Sequence, residues 1–191
     1  MRYFLLVVAA DLLLAGCATK EPLPSFFLLT QPIGSGGSPV RSGQPSVYIG
    51  RVEVPPYLAR TNLASVGAGN EINYSPSARW AAPLDQAIAG AVADNLNRLG
   101  VSAVGFQPAI QPPPHRYEVA LRIARFEGSQ NGEVILSAQW QVTPAGGSSP
   151  VISRASNIRR RGWQPGDYAA MATLLSDEVA SLSREIARAV R

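Results

Sequence analysis

The stretch Tyr117-Glu118-Val119-Ala120-Leu121-Arg122-Ile123, then Gln130-Asn131-Gly132, then Val134-Ile135-Leu136-Ser137-Ala138-Gln139-Trp140-Gln141-Val142 decides the fold. In the first run Tyr117, Val119, Leu121 and Ile123 alternate with Glu118, Ala120 and Arg122. In the second, Val134, Leu136, Ala138, Trp140 and Val142 alternate with Ser137, Gln139 and Gln141. Successive strand side chains point to opposite faces, so each run reads as a half-buried strand. A turn at Gln130-Asn131-Gly132 makes the pair a hairpin. A third strand, about Val151 to Arg159, follows the turn Gly146-Gly147-Ser148-Ser149.

Two amphipathic helices flank this sheet. Helix A is expected from about Ala81 to Leu99, with Leu84, Ile88, Val92, Leu96 and Leu99 on one stripe. Pro83 fits its first turn and Gly100 its stop. Helix B closes the chain: Tyr168, Met171, Leu175, Val179, Leu182, Ile186 and Val190 recur at helical spacing, with Asp167 as N-cap. Each helix has a single apolar face and needs a sheet to cover. The expected fold class is therefore α+β: two layers, a mixed and largely antiparallel sheet covered by two amphipathic helices.

The remaining strands read less clearly. Phe26-Phe27-Leu28-Leu29 is a short apolar run bounded by turn residues. Ser46 to Val54 is a second strand whose alternation changes phase at Gly50-Arg51, as a bulge would make it, and Pro55-Pro56 ends it. Leu63 to Val66 and Glu71 to Tyr74 form a small hairpin across Gly67-Ala68-Gly69. Val101 to Phe106 is a strand after helix A, and Gln31 to Pro45 a Gly-, Ser- and Pro-rich loop.

The amino terminus carries a different message. Arg2 precedes an apolar stretch, Tyr3 to Leu14, that ends in Leu14-Ala15-Gly16-Cys17. This is a secretory signal closing on a cysteine, and it resembles the lipobox of bacterial lipoproteins, in which the thiol is acylated and becomes the first residue. Cys17 is the only cysteine, so the chain has no internal disulfide and no multi-cysteine metal site. Asp11 inside the run costs about 2.5–3.5 kcal/mol at a helix centre, and the run falls short of the roughly 20 residues a span needs. The expected organisation is a signal peptide over 1–16, a lipidated Cys17 and tether over 17–25, and one domain over 26–191. Ala18 to Ser25 reaches at most about 26–29 Å, which keeps that domain close to its membrane.

Composition narrows the function classes. The chain has 191 residues, 46% of them hydrophobic, and a net charge of +4 carried almost wholly by arginine, with Lys20 the only lysine. That balance is globular, and the charge is too dispersed for nucleic acid. The single histidine, His115, stands beside a proline run with no sequence partner, and Glu53, Glu71 and Asp85 have no spacing that selects them as a catalytic pair. No nucleophile elbow, paired-histidine helix or phosphate-cradling loop is present. The expectation is no catalytic residue, no metal site, and no cofactor other than a covalent lipid on Cys17.

Two segments stand out. Val52-Glu53-Val54-Pro55-Pro56-Tyr57-Leu58-Ala59-Arg60 sets an aromatic, a leucine and an arginine just after a proline-terminated strand, and Arg79-Trp80-Ala81-Ala82-Pro83-Leu84 leads into helix A. Together with Asn95-Leu96 and Leu182-Ser183-Arg184-Glu185-Ile186-Ala187, they resemble the PqiC-type auxiliary lipoproteins of ABC-linked lipid transport systems over most of residues 26–190. Thr61 and Ala82 replace a proline and an acidic residue common in relatives, and an arginine expected near Val66-Gly67 is missing.

The resemblance implies a non-enzymatic lipoprotein anchored at the outer membrane, on its periplasmic face. It would dock a periplasmic MCE-type (mammalian-cell-entry-like) tunnel protein and its associated ABC transporter, and a homo-oligomeric ring of several copies would match a hollow partner. Ala18 is not the aspartate that commonly retains lipoproteins at the inner membrane. Tyr57, Leu58, Arg60, Arg79, Trp80, Pro83 and Leu84 are the candidates for the partner interface. They equally fit a packing role, with Tyr57 and Trp80 holding sheet to helix A and an arginine stacked on a ring. Arg159-Arg160-Arg161 reads as a solvated strand end or as a headgroup contact. Two other functions remain open: a lipid-binding carrier, which needs a deep apolar cavity between sheet and helices, and a hydrolase built around His115. The small residues Ala87, Ala91 and Ala180 speak for close helix–sheet packing instead of a cavity.

Overall fold

The computed structural model describes residues 23–30, 46–108 and 111–191. The signal peptide, Cys17, most of the tether and the 31–45 loop lie outside them. In chain order the elements are β1 (Ser25–Phe27), β2 (Val47–Ile49), β3 (Asn62–Val66), β4 (Ile72–Trp80), α1 (Leu84–Arg98), β5 (Ala103–Gly105), β6 (Tyr117–Ser129), β7 (Glu133–Pro144), β8 (Ile152–Arg161) and α2 (Tyr168–Val190). One mixed sheet carries the two helices on one face, the two-layer α+β arrangement that the periodicities predict.

Strand β6 organises the sheet. Along one edge it pairs antiparallel with β7 from Tyr117↔Pro144 to Gly128↔Val134, and β7 pairs antiparallel with β8. Its other edge is shared. The amino-terminal half takes β2 in parallel, Val47↔Tyr117 to Ile49↔Val119, and β5 lies beyond β2. The far end, Gly128 and Ser129, takes β3 in parallel, followed by β4 and β1. Every parallel pairing is two or three residues long, so the antiparallel pairs supply most of the ladder.

The phase change at Gly50-Arg51 is a bulge. Ile49 faces Val119 and Glu53 faces Arg122, four steps on one chain against three on the other. A second bulge, which the alternation of Tyr117 to Ile123 does not announce, interrupts β6 at Ala124. It reverses which residues face the helices. Val119, Leu121 and Ile123 do so before it, Phe126 and Gly128 after it, and Glu127 turns to the opposite face.

Boundaries shift where local bonds compete with periodicity. Helix α1 starts at Leu84 and not Ala81, because the Ala81 N–H is bonded to Phe27 O (2.9 Å) and Pro83 is extended (ψ 131°). Pro83 therefore caps the helix from outside, and its carbonyl accepts the Ala87 N–H. Gly100 closes the helix at φ +80°, and Asp167 caps α2 by accepting the Ala170 N–H at 3.0 Å. Strand β4 runs past Tyr74 to Trp80, β6 runs past Ile123 to Ser129, and β1 ends at Phe27, short of Leu29.

The space between sheet and helices is filled. Ile88, Val92, Leu96, Leu175, Val179 and Leu182 are completely buried against the sheet's inner residues, and Ala91 and Ala180 are buried as well. A Cβ on Gly128 would stand 2.6 Å from Trp163 and 2.7 Å from the Met171 sulfur, so this strand and α2 are in direct contact. Trp140 buries its ring and donates Nε1–H to Ser156 Oγ at 3.0 Å, while Ser156 in turn bonds the Glu185 carboxylate.

One charged group sits badly in this interior. Glu178 of α2 is fully buried, and no side chain hydrogen-bonds to either of its oxygens. Burial pushes its carboxyl up from 4.5 to about 8, against the pull of the Arg160 guanidinium. The unfolded chain loses this proton near pH 4.5 while the folded chain keeps it to about pH 8, so stability falls as pH rises between the two. Glu178→Gln removes that cost. Its melting temperature should exceed wild type at pH 8, by about 2–4 °C for each kcal/mol relieved, with the gain nearly absent at pH 5. Thermal unfolding with an equal difference at both pH values would contradict a buried neutral acid.

Candidate interaction surface

The two motif segments meet. Asn62 pairs with Arg79, the Trp80 N–H donates to Thr61 O at 2.7 Å, and β1 lies alongside with Phe26↔Arg79 and Phe27↔Trp80. Of the seven candidates from the sequence, Leu58, Trp80 and Leu84 belong to the core, at 4, 5 and 3% exposure. Trp80 packs at 5.9 Å from the Phe126 ring. Their side chains hold the sheet to α1 and offer a partner nothing, which corrects their placement among interface residues. Pro83 and Arg60 are exposed, and Tyr57 and Arg79 half-buried. The exposed apolar residues Leu23, Phe26 and Leu28 lie in and beside β1, next to this group.

Tyr57 has a specific task. Between Ile123, where the β2 segment leaves β6, and Gly128, where β3 joins it, the β6 edge has no strand neighbour on that side. The 3-10 turn Pro56–Leu58 fills this fork. Leu58 joins the core, and Tyr57 packs against its margin, where its hydroxyl donates to Glu127 Oε2 at 2.8 Å with Ala124 O at 3.4 Å.

Glu127 is completely buried, and it also accepts the Phe126 N–H (2.7 Å) and Arg125 Nε–H (2.6 Å). A buried carboxylate is tolerable because it is paired and multiply bonded. Burial, and then the charge of Glu127, hold the Tyr57 phenol above its ordinary range, so it remains a donor. The turn is braced from outside as well. Tyr74 O–H donates to Tyr57 O at 3.1 Å, and the Arg60 guanidinium lies over the Tyr74 ring at 4.7 Å. The arginine thus stacks on Tyr74, a residue that the motif reading does not include, and neither Glu127 nor Tyr74 was singled out in the sequence. A glutamate in a strand normally signals a solvated face, and only the bulge at Ala124 makes Glu127 a buried one.

The other sequence candidates find ordinary settings. His115 Nδ1 lies 2.8 Å from Pro113 O, and its ring packs on Tyr48 at 5.3 Å. Arg159 and Arg161 both pair with Glu133, at 3.8 and 3.0 Å, on the strand surface. Arg160 turns inward to α2. Among the described residues no group of three His, Cys, Asp or Glu side chains could hold a metal ion, and no helix is long and apolar enough to cross a membrane. Surface depressions occur along the open sheet face around Glu53, Arg122 and Gln139, and beside the β5 edge between Gly90 and Val104.

Comparison with known proteins agrees with this architecture. The family model for the ABC-type transport auxiliary lipoprotein component matches residues 27–187. The intermembrane transport lipoprotein PqiC of Escherichia coli is 25% identical over 98% of this chain and 99% of its own length, and the Shigella flexneri protein of the same name matches equally. Among solved structures, an uncharacterized protein superposes with a TM-score of 0.71 at 22% identity, covering 89% of this chain and all of that one. A protein from Xanthomonas campestris gives 0.67 at 15% identity, covering 85% of this chain and 92% of its own. The two structural likenesses concern the fold.

The fork-filling role of Tyr57 is open to test. Tyr57→Phe keeps the ring but withdraws a donor from a buried carboxylate, which costs about 1–3 kcal/mol. Urea or thermal unfolding should register a loss of that size, and an unchanged midpoint would show that the hydroxyl contributes nothing to the fork.

Proposed function

The chain belongs to the ABC-type transport auxiliary lipoprotein component family, and on that premise we propose that it is a non-enzymatic, membrane-anchored subunit of an ABC- and MCE-type lipid transport system linking the inner and outer membranes. Cys17 carries the lipid. Acyl insertion is worth about 0.8 kcal/mol per buried CH₂, and the absence of aspartate at Ala18 favours the periplasmic face of the outer membrane. The partner is an MCE-type periplasmic tunnel protein with its ABC transporter, and several copies of the domain in a ring match a hollow partner. The name of the E. coli relative, an intermembrane transport lipoprotein, supports the same assignment.

The observation that carries this reading is the position of the two motif segments. Arg79 and Pro83 lie beside β1, the strand through which the tether enters the domain, and Arg60 leads into β3, one strand further on. A partner held there is held close to the bilayer, as a component presenting a tunnel's end to a membrane requires. Arginine and aromatic side chains dominate the energetics of protein contacts, and Arg60 is already braced on Tyr74, which lowers the entropy lost on docking. The carrier alternative needs an apolar cavity between sheet and helices. The described residues fill that space with fully buried side chains, which favours docking over carrying.

Anchoring by Cys17 is tested by fractionation. Cys17→Ala should leave the membrane fraction for the soluble one while the wild type stays with the outer membrane. Equal membrane recovery of both proteins would count against the lipid anchor.

A further inference from the structure

Arg160 is the inward member of the triple-arginine run. It stands opposite the fully buried Val134 on the helix-facing side of β8, and its Nη2–H donates to Ser181 Oγ at 3.1 Å. Arg184, one turn after Ser181 on α2, donates Nη2–H to the same oxygen at 2.8 Å. Ser181 gives its own hydroxyl proton to Asp177 O at 3.0 Å, so its lone pairs are what the two guanidiniums share. Two cations are thereby held side by side, an arrangement that repulsion opposes.

Among the described residues, no carboxylate lies within ion-pair distance of either guanidinium. The ion pairs among the described residues engage Arg122, Arg125, Arg159 and Arg161. Glu185 is bonded to Ser156. Burial raises the Glu178 carboxyl toward its neutral form against the pull of Arg160, and Asp177 is a further acid nearby. Each guanidinium has five N–H donors; one of each is spent on Ser181, and Arg160 Nε is buried without a partner. Arg184 is exposed and Arg160 and Ser181 are half-buried, so the pair opens to solvent.

We propose that Arg160, Arg184 and Ser181 form a phosphoryl-binding site at the junction of β8 and α2. Guanidinium forks match the oxygens of a phosphate in bidentate geometry, and the bonds formed are charge-assisted. A phosphoryl group would neutralise the paired cations and take up their unspent donors. The same chemistry is offered by the headgroup of an anionic phospholipid and by a free phosphate.

The test uses the full-length lipidated chain in a neutral detergent, titrated calorimetrically with inorganic phosphate and with dihexanoyl phosphatidic acid. The account expects saturable binding of at least one probe, weakened about tenfold or more by Arg184→Gln and by Arg160→Gln, as loss of one charge-assisted pair implies. Arg188→Gln, an exposed charge-matched change on the same helix, should leave it intact. Tighter binding of the lipid probe assigns the site to a headgroup, and equal or tighter binding of phosphate assigns it to a free phosphoryl ligand; either supports the proposal. Because Arg160 also packs in the interior, Arg184→Gln is the deciding variant. Wild type and Arg184→Gln binding both probes equally, or Arg188→Gln losing as much affinity as Arg184→Gln, would overturn it.

Discussion

The structure depends on a mismatch of lengths. Strand β6 is longer than either strand on its second edge, so β2 and β3 share that edge and leave a fork between them. A fork in a sheet exposes backbone groups that must be satisfied. Here the bulge at Ala124 turns Glu127 toward the opening, where it accepts from the Phe126 N–H, Arg125 and Tyr57. The Pro56–Leu58 turn then closes the gap, with Leu58 in the core and the Tyr57 hydroxyl on Glu127. The Tyr57 motif is therefore first a structural plug. Its outward continuation, Arg60 stacked on Tyr74, is what it can offer a partner.

This division separates residues that the sequence alone presents as equivalent. Leu58, Trp80 and Leu84 are buried by the plug and by the packing of α1, while Arg60, Arg79 and Pro83 reach the surface around it. Core and surface roles alternate within a few residues, because a strand end and a helix start send neighbouring side chains in opposite directions. Of the exposed side chains, Arg60 stands on contacts that run through Tyr74 and Tyr57 to the buried Glu127. A partner would meet an ordered surface, not one that must be ordered on binding.

How much of this was legible follows from range. The hairpin of β6 and β7, both helices and the Asp167 cap rest on local periodicity and local hydrogen bonding, and apart from the start of α1 they stand where the spacing puts them. The bulge at Gly50 showed as a change of phase; the bulge at Ala124 did not, because Ala124, Arg125 and Glu127 blur the alternation around it. Pairings across long separations were silent. Nothing near Tyr57 announces that its hydroxyl meets Glu127, and nothing in Arg159-Arg160-Arg161 tells which arginine turns to Ser181. Helix α1 began late because Ala81 is bonded back to β1, a contact that helical periodicity does not encode.

The central claim is that the domain docks a transport partner through the surface beside its tethered strand. The most direct measurement is capture of the tagged, full-length lipidated protein from gently solubilised membranes of its native host, with bound proteins identified by mass spectrometry, in parallel for wild type and Arg60→Glu. The account predicts an MCE-type protein with its ABC transporter in the wild-type preparation, and several-fold less of it with the charge-reversed variant at equal bait. A preparation carrying bound lipid and no transport protein, or equal recovery by both baits, would contradict it.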